Sequence, residues 1–175
     1  DSGMADHRQH WPPSLAYCKP DSFSNATFNW LYPGPEGTPP PYHPTSCHHI
    51  SNWDVSKVTS MAILFYHKKS FDQNISNWDV SEVTSMKSMF HGAITFNQDL
   101  SQWVTSKVTD TSYMFFRAFE FNGDISKWNV AAVVKMNFMF YDAKAFSQSL
   151  ETWAEDALTD SNQIFGGADA FNNLY

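Results

Sequence analysis

A tryptophan recurs at a fixed interval of 25 residues from the middle of the chain onward. It occupies Trp53, Trp78, Trp103, Trp128 and Trp153, with no insertion between successive copies. Two phenylalanine columns keep the same register: Phe65, Phe90, Phe115, Phe140 and Phe165, and Phe71, Phe96, Phe121, Phe146 and Phe171. A period between 20 and 50 residues indicates a repeat protein, in which each unit buries its apolar face only against its neighbours.

The repeat region is predicted to be an α/β repeat solenoid with about five rungs. Ile75, Trp78 and Val80 are separated by polar residues, which is typical of a short parallel strand with one buried face. Val83, Met86 and further apolar residues follow at helical spacing and predict a short helical turn with an inward stripe. The Trp, Met and Phe columns are then core. The predicted repeats are 50–74, 75–99, 100–124, 125–149 and 150–175.

Residues 1–49 have a different composition and are predicted to form an irregular N-terminal cap. All nine prolines of the chain lie between Pro12 and Pro44, and proline fixes φ and lacks the amide donor that a central strand or helix needs. A solenoid needs such cover over its first unit. We predict that a Cys18–Cys47 disulfide pins the cap. A flexible proline-rich tail is the alternative, which the many aromatic residues of this segment disfavour.

Charge and processing features suggest where the chain works. The formal charge of −7 and the scattered basic residues argue against nucleic acid or an anionic membrane surface as a partner, and no apolar run is long enough to span a membrane. The chain begins with Asp1 rather than methionine, which favours a processed chain. Two sequons, at Asn25 and Asn74, are candidate glycosylation sites. With two cysteines, these features favour an extracellular, cell-surface or organelle-lumenal protein.

The repeat consensus also resembles a known family. The pattern I-S-x-W-D-V-S-x-V-T-x-M-x-x-M-F-x-x-A-x-x-F-N-Q-D, seen in residues 75–99, is similar to the 25-residue repeat of BspA-like surface proteins, which includes mycoplasma lipoproteins. The resemblance covers residues 50–175. It implies a leucine-rich-repeat-like fold and a secreted or surface protein with an adhesive or unknown role. It implies no catalytic residue. The third repeat departs from the pattern at Val104 and Thr105.

Two groups of residues have metal-ligand chemistry. Cys47 and His48 offer a thiolate and an imidazole, which zinc and copper prefer, but a disulfide at Cys47 would remove the stronger ligand. Asn74, Asp99 and Asp124 share a repeat position and would stack as an oxygen ladder suited to calcium. The alternative is that these side chains only shape the corner between repeats. We predict no cofactor.

A regular polar column gives the predicted binding face. Small and flexible polar side chains in a fixed array suit recognition of protein or carbohydrate, whereas the alternative is an ordinary solvated face. The predicted face consists of Ser76, Asn77, Ser101, Gln102, Ser126 and Lys127.

Catalysis has little support in the sequence. We assign His67 and His91 to one repeat position and expect them to be neighbours, but no nucleophile accompanies them in a recognisable motif. The sequence therefore predicts a non-catalytic binding module of a secreted or surface protein. The alternative is a scaffold subunit of a larger multi-protein assembly, which would expose apolar patches and copurify with stable partners.

Overall fold

The computed structural model describes residues 50–153 and 159–173 of the chain. The predicted cap, residues 1–49, lies outside the described residues, as do 154–158 and 174–175. Several predicted site residues therefore have no structural account: Cys18, Asn25, Cys47 and His48.

Regular secondary structure is sparse in the described residues. It consists of a 3-10 helix, Ile50–Asn52, and one short α-helix, α1, Asp169–Asn172. Parallel pairing occurs at one residue per repeat, as single bridges between neighbouring repeats. The bridged residues are Ser60, Ser85, Asp110, Lys135 and Asp160. Equivalent positions of successive repeats therefore lie side by side and run in the same direction.

The strand predicted around Ile75 and Val80 is replaced by turns. The Trp78 amide donates to the Ile75 carbonyl at 3.1 Å, and the Val83 amide donates to the Val80 carbonyl at 2.9 Å. Both bonds join residues three apart and define tight turns. Two successive turns bury Ile75, Trp78, Val80 and Val83 on one side. The same inward spacing fits a strand, and the structure has turns at these positions.

The helical turn predicted after Val83 is also replaced by tighter turns. An α-helix would bond each amide to the carbonyl four residues back. Every second amide, in Met86, Ser88, Phe90 and Gly92, donates instead to a carbonyl of the following repeat. The amides between them, in Met89, His91 and Ala93, donate to the carbonyl three residues back. This division of the donors between two directions prevents a continuous helix.

Two positions in every repeat have a left-handed backbone. One column is Ile63, Ser88, Tyr113, Phe138 and Gln163, and the other is His67, Gly92, Arg117, Asp142 and Gly167. A non-glycine residue in this conformation costs roughly 1–2 kcal/mol. In the first four repeats the amide at both positions donates to the next repeat, at 2.9 Å from Ile63 and 2.7 Å from His67. These bonds between repeats offset the backbone strain.

The interior is filled by stacked aromatic rings. Consecutive rings of the Phe90 column lie 5.5–5.6 Å apart, and Phe90 also stacks on Phe96 of its own repeat at 3.9 Å. Trp78, Trp103 and Trp128 are each 3% exposed. The prediction that these columns form the core is confirmed.

The buried indoles are hydrogen bonded across repeats. Trp78, Trp103, Trp128 and Trp153 each donate through Nε1 to the carbonyl of the residue that begins the preceding repeat, at 2.9–3.3 Å. Burying an indole N–H without a partner would be costly, so this bond lets tryptophan occupy the core.

Neighbouring repeats thus share hydrogen bonds and stacked rings throughout residues 50–153, and the last repeat joins through residues 159–173. The class of α/β, leucine-rich-repeat-like solenoid stays a prediction, since the described residues hold single bridges and one short α-helix. In the described part of the chain, no helix has the length and apolar character that crossing a membrane requires.

Candidate binding surfaces

The serines of the predicted polar face are largely occupied within the protein. The Ser76 hydroxyl donates to the Asn74 side chain at 2.8 Å, and the Ser126 hydroxyl donates to Asp124 at 2.7 Å. All three serines of the face, Ser101 included, are half-buried. The hydroxyl protons of Ser76 and Ser126 are therefore engaged in the turn at the start of their repeats.

The other half of the predicted face is open to solvent. Asn77, Gln102 and Lys127 are exposed and occupy the same position in three successive repeats. Gln102 donates to the Ser101 hydroxyl at 3.2 Å, a contact within the face itself. The amide and ammonium groups of this column therefore remain available for a partner.

A shallow open pocket of about 480 Å³ adjoins Lys127. Its lining residues are Ser126, Lys127, Trp128, Asn129, Val130, Ala131 and Thr152. Two of them, Ser126 and Lys127, belong to the predicted face.

The oxygens proposed for calcium have internal partners. Oδ1 of Asn74, Asp99 and Asp124 each accepts the amide N–H two residues further on, at 2.8–2.9 Å. Hydrogen bonds from the side chain and amide of Ser126 hold the pKa of Asp124 below its usual range. Within residues 50–153 and 159–173, no three His, Cys, Asp or Glu side chains are grouped to hold a metal ion. Their hydrogen bonds to the backbone hold the turn at this corner between repeats.

The same turn recurs a few residues later in the repeat. Asp54 accepts both the amide and the hydroxyl of Ser56, and Asp79 accepts the Ser81 amide at 3.0 Å. Bonds from the two serines lower the pKa of each carboxyl, with the side-chain bond as the first cause. An Asp or Asn two residues before a Ser is the sequence signal of this turn, and residues 74–81 contain it twice.

Polar side chains two residues before Asn74, Asp99 and Asp124 form a continuous ladder. The Asn97 amide donates to Asp72 Oδ1 at 2.9 Å, and the Asn122 amide donates to Asn97 Oδ1 at 2.8 Å. The Ser147 amide continues the series to Asn122 Oδ1 at 2.9 Å. Each side chain therefore satisfies a backbone donor of the next repeat.

An aromatic surface outside the core was missed by the sequence analysis. We define the outer ladder as the column Tyr66, His91, Phe116 and Tyr141, whose successive ring centroids lie 4.7, 4.6 and 5.1 Å apart. Beside it Tyr113 stacks on Phe138 at 5.0 Å. The ladder could have been found from its spacing of 25 residues, but its members differ in type and follow a core phenylalanine directly.

The predicted register of the two histidines is wrong by one residue. His91 shares its column with Tyr66, whereas His67 shares its column with Gly92. The rings are nevertheless neighbours, with centroids 5.1 Å apart in an edge-on arrangement. A Cβ atom at Gly92 would lie 2.7 Å from His67 Nδ1, so glycine leaves room for that ring.

The environment of His91 disfavours its charged form. Its Nδ1 atom is buried and has no hydrogen-bond partner in the described part of the protein. Burial first, then the nearby His67 and Arg117, lowers the pKa of His91 to about 4. The imidazole is therefore neutral at pH 7 and behaves as one more ring of the outer ladder.

Exposed ion pairs add links between repeats. Lys107 lies 2.6 Å from Glu82, Arg117 lies 3.3 Å from Asp142, and Lys144 lies 2.9 Å from Asp169. Exposed pairs of this kind contribute about 0–1 kcal/mol each. They align neighbouring repeats without defining a binding site.

Comparison with known proteins identifies a family. Residues 42–153 and 103–175 match the family described as "Mycoplasma protein of unknown function, DUF285". The two overlapping matches span the whole repeat region, and the chain belongs to this family. Neither the curated proteins nor the solved structures contain a match to the sequence.

Proposed function

We propose that this chain is a non-catalytic binding module that recognises protein or glycan through the exposed polar column of its repeats. The observation that carries the proposal is the alignment of Asn77, Gln102 and Lys127, all exposed, in three adjoining repeats beside the open pocket at Trp128. A column of donors and acceptors at fixed separation suits a ligand that is itself extended.

The proposed architecture is a leucine-rich-repeat-like α/β solenoid of BspA-like type. Hydrogen bonds between equivalent residues of successive repeats support it, as does the ladder through Asp72, Asn97 and Asn122. Such an architecture holds surface residues at a constant spacing, which preorganises them for binding.

We further propose that the protein works outside the cytosol, at a cell surface, in the extracellular space or in an organelle lumen. Asn74 is exposed, as attachment of a glycan requires. The intact mass of the protein from its native source, before and after enzymatic removal of N-glycans and reduction, tests this. A mass that changes in neither treatment contradicts both the glycosylation and the Cys18–Cys47 disulfide.

Binding is tested with the full chain on an array of purified glycans and extracellular-matrix proteins. The variant Gln102→Ala/Lys127→Ala removes two members of the polar column. Its matched control, Lys87→Ala/Gln163→Ala, removes the same residue types from exposed positions elsewhere in the repeat. We expect the first variant to lose binding and the control to keep it. Equal binding by wild type and both variants would exclude the polar column as the recognition surface.

A scaffold subunit of a larger multi-protein assembly is the second candidate. The observation that favours it is the outer ladder, since Tyr66 is 43% exposed and the neighbouring Ile63 is 38% exposed. Assembly subunits present apolar surface of this kind to stable partners. Gentle isolation from the native source followed by native mass measurement separates the two functions. A stable heteromeric particle supports the scaffold, and a species of about 20 kDa supports the free binding module.

A further inference from the structure

The outer ladder is an apolar strip that crosses four repeats. Its central rings are nearly parallel, with interplanar angles of 15° between His91 and Phe116 and 9° between Phe116 and Tyr141. Because each ring covers the face of the next, the strip presents ring edges to the outside. A ligand that needs an open ring face finds little of it here, whereas an apolar ridge can lie along the edges.

A polyproline II segment has the right repeat for this strip. Rings two steps apart on the ladder are separated by at most about 9–10 Å. A polyproline II helix rises about 3.1 Å per residue with three residues per turn, so residues i and i+3 lie about 9.3 Å apart. One ridge of such a helix therefore meets every second ring. Aromatic-lined surfaces are the usual receptors for this conformation.

The chain contains a segment with that ridge. At residues 35–44 it reads Pro-Glu-Gly-Thr-Pro-Pro-Pro-Tyr-His-Pro. Positions three apart in this segment are Pro35, Thr38, Pro41 and Pro44. Residues 39–44 measure about 15–16 Å in this conformation, close to the ladder, whose first and last ring centroids are at most about 14 Å apart.

The connection between the segment and the first repeat is six residues long. Pro44 precedes Ile50, the first described residue, by six residues, which extend to about 20 Å. Tyr66, the first ring of the ladder, belongs to the same repeat as Ile50.

We propose that residues 39–44 of this chain dock as a polyproline II helix along the outer ladder. The docking joins the proline-rich region to the repeats through a surface distinct from the polar column of the proposed function. Neither inference depends on the other.

The first test is hydroxyl-radical footprinting of the full-length protein. In the double variant Pro41→Asp/Pro44→Asp, oxidation of Tyr66, Phe116 and Tyr141 should rise several-fold. Phe115 should stay protected, which shows that the repeats remain folded. The matched control Pro12→Asp/Pro13→Asp changes two prolines outside the segment and should leave ladder oxidation unchanged. Unchanged oxidation of the ladder in the Pro41/Pro44 variant overturns the proposal.

The second test changes the ladder and measures the accessibility of the proline-rich segment. Cleavage after Glu36 by a glutamate-specific protease should accelerate several-fold in Phe116→Ser. Val104→Ser, which removes an exposed apolar side chain elsewhere, should cleave like the wild type. Should Phe116→Ser fail to fold, Tyr66→Ser at the more exposed end of the ladder replaces it. An equal cleavage rate in ladder and control variants rejects the docking.

Footprinting at increasing protein concentration distinguishes another occupant. Docking within one chain predicts ladder oxidation that is independent of concentration. Protection that grows with concentration, together with a doubled solution mass, would assign the ladder to contacts between copies and overturn the proposal.

Discussion

The inner phenylalanine columns and the outer ladder obey the same geometry in opposite environments. Phe90 and Phe115 stack at 5.5 Å inside the core, where each is fully buried. Phe116 and Tyr141 stack at 5.1 Å on the outside, where each is only half-buried. Burial alone therefore does not produce the stacking. The hydrogen bonds between repeats fix the spacing, and any aromatic side chain repeated in register will stack on its neighbour.

Adjacent residues permit the sharpest comparison of the two environments. Phe115→Ala opens a cavity in the core and should reduce the free energy of unfolding by about 3–5 kcal/mol. Phe116→Ala removes a half-exposed ring of the outer ladder and should cost about 1 kcal/mol or less. Urea denaturation followed by circular dichroism measures both. Equal losses would mean that the outer ladder is as much a part of the core as the inner columns.

The hydrogen bonds of the buried indoles are a second difference between the core and the outer ladder. Trp103→Phe keeps an aromatic ring but removes the Nε1 donor from the Ile75 carbonyl, at 3.1 Å in the native protein. The Ile75 carbonyl keeps the bond from the Trp78 amide, so loss of the indole bond should cost about 0.5–1.5 kcal/mol. On the outer ladder, Tyr141→Phe also removes one polar atom and should stay within about 0.5 kcal/mol. Similar urea midpoints for these two variants would contradict a structural role for the indole bond.

The outer ladder should show its own pH dependence through His91. Its pKa of about 4 in the folded protein lies below the 6.5 expected after unfolding, so the unfolded chain binds the proton more readily between these values. The contribution of neutral His91 to the free energy of unfolding is fully present above pH 6.5, and it declines as the pH falls towards 4. After discounting for solvent screening, we expect a loss of about 1 kcal/mol.

His91→Phe is the control for this pH effect. It keeps a stacked ring and removes the titration, so the decline between pH 6.5 and pH 4 should become shallower. Urea midpoints at intermediate pH values measure the slope. An unchanged slope would assign the dependence to other groups.

The smallest loss of stability is expected at the corners between repeats, where the contacts are polar hydrogen bonds instead of stacked rings. Asp99→Ala removes the acceptor of the Ser101 amide, at 2.8 Å, and should cost about 0.5–1 kcal/mol. A calcium chelator should leave the melting temperature of wild type and variant unchanged. A melting temperature that falls with chelator in the wild type alone would establish a calcium site at this corner.

The interior could be predicted because its signal is repeated. Each core position is sampled five times in register, and columns such as the one containing Phe90 keep a single residue type. Side-chain identity reports burial directly in these columns. The corner positions Asn74, Asp99 and Asp124 were also placed correctly in a common column, although the sequence left their role open between calcium and turn geometry.

The backbone between these columns could not be predicted in the same way. The left-handed positions hold residues as different as Ile63, Tyr113 and Gly92, so composition gives no sign of the conformation. Their stability comes from amides that bond to another repeat, which a local pattern does not contain. The same apolar spacing therefore suggested a strand and a helical turn where the chain makes successive tight turns.

The hydrogen bonds that join the repeats all span a similar length of chain. Side-chain bonds from one repeat to the next connect residues 24 to 28 positions apart. The loop entropy lost on forming each contact is therefore the same at every level of the stack, however many levels there are. Contact order relative to length falls as such a chain grows, which favours folding that starts at any repeat and spreads to its neighbours. Gain or loss of a whole 25-residue unit preserves this property, whereas a single inserted residue would break every ladder that crosses it.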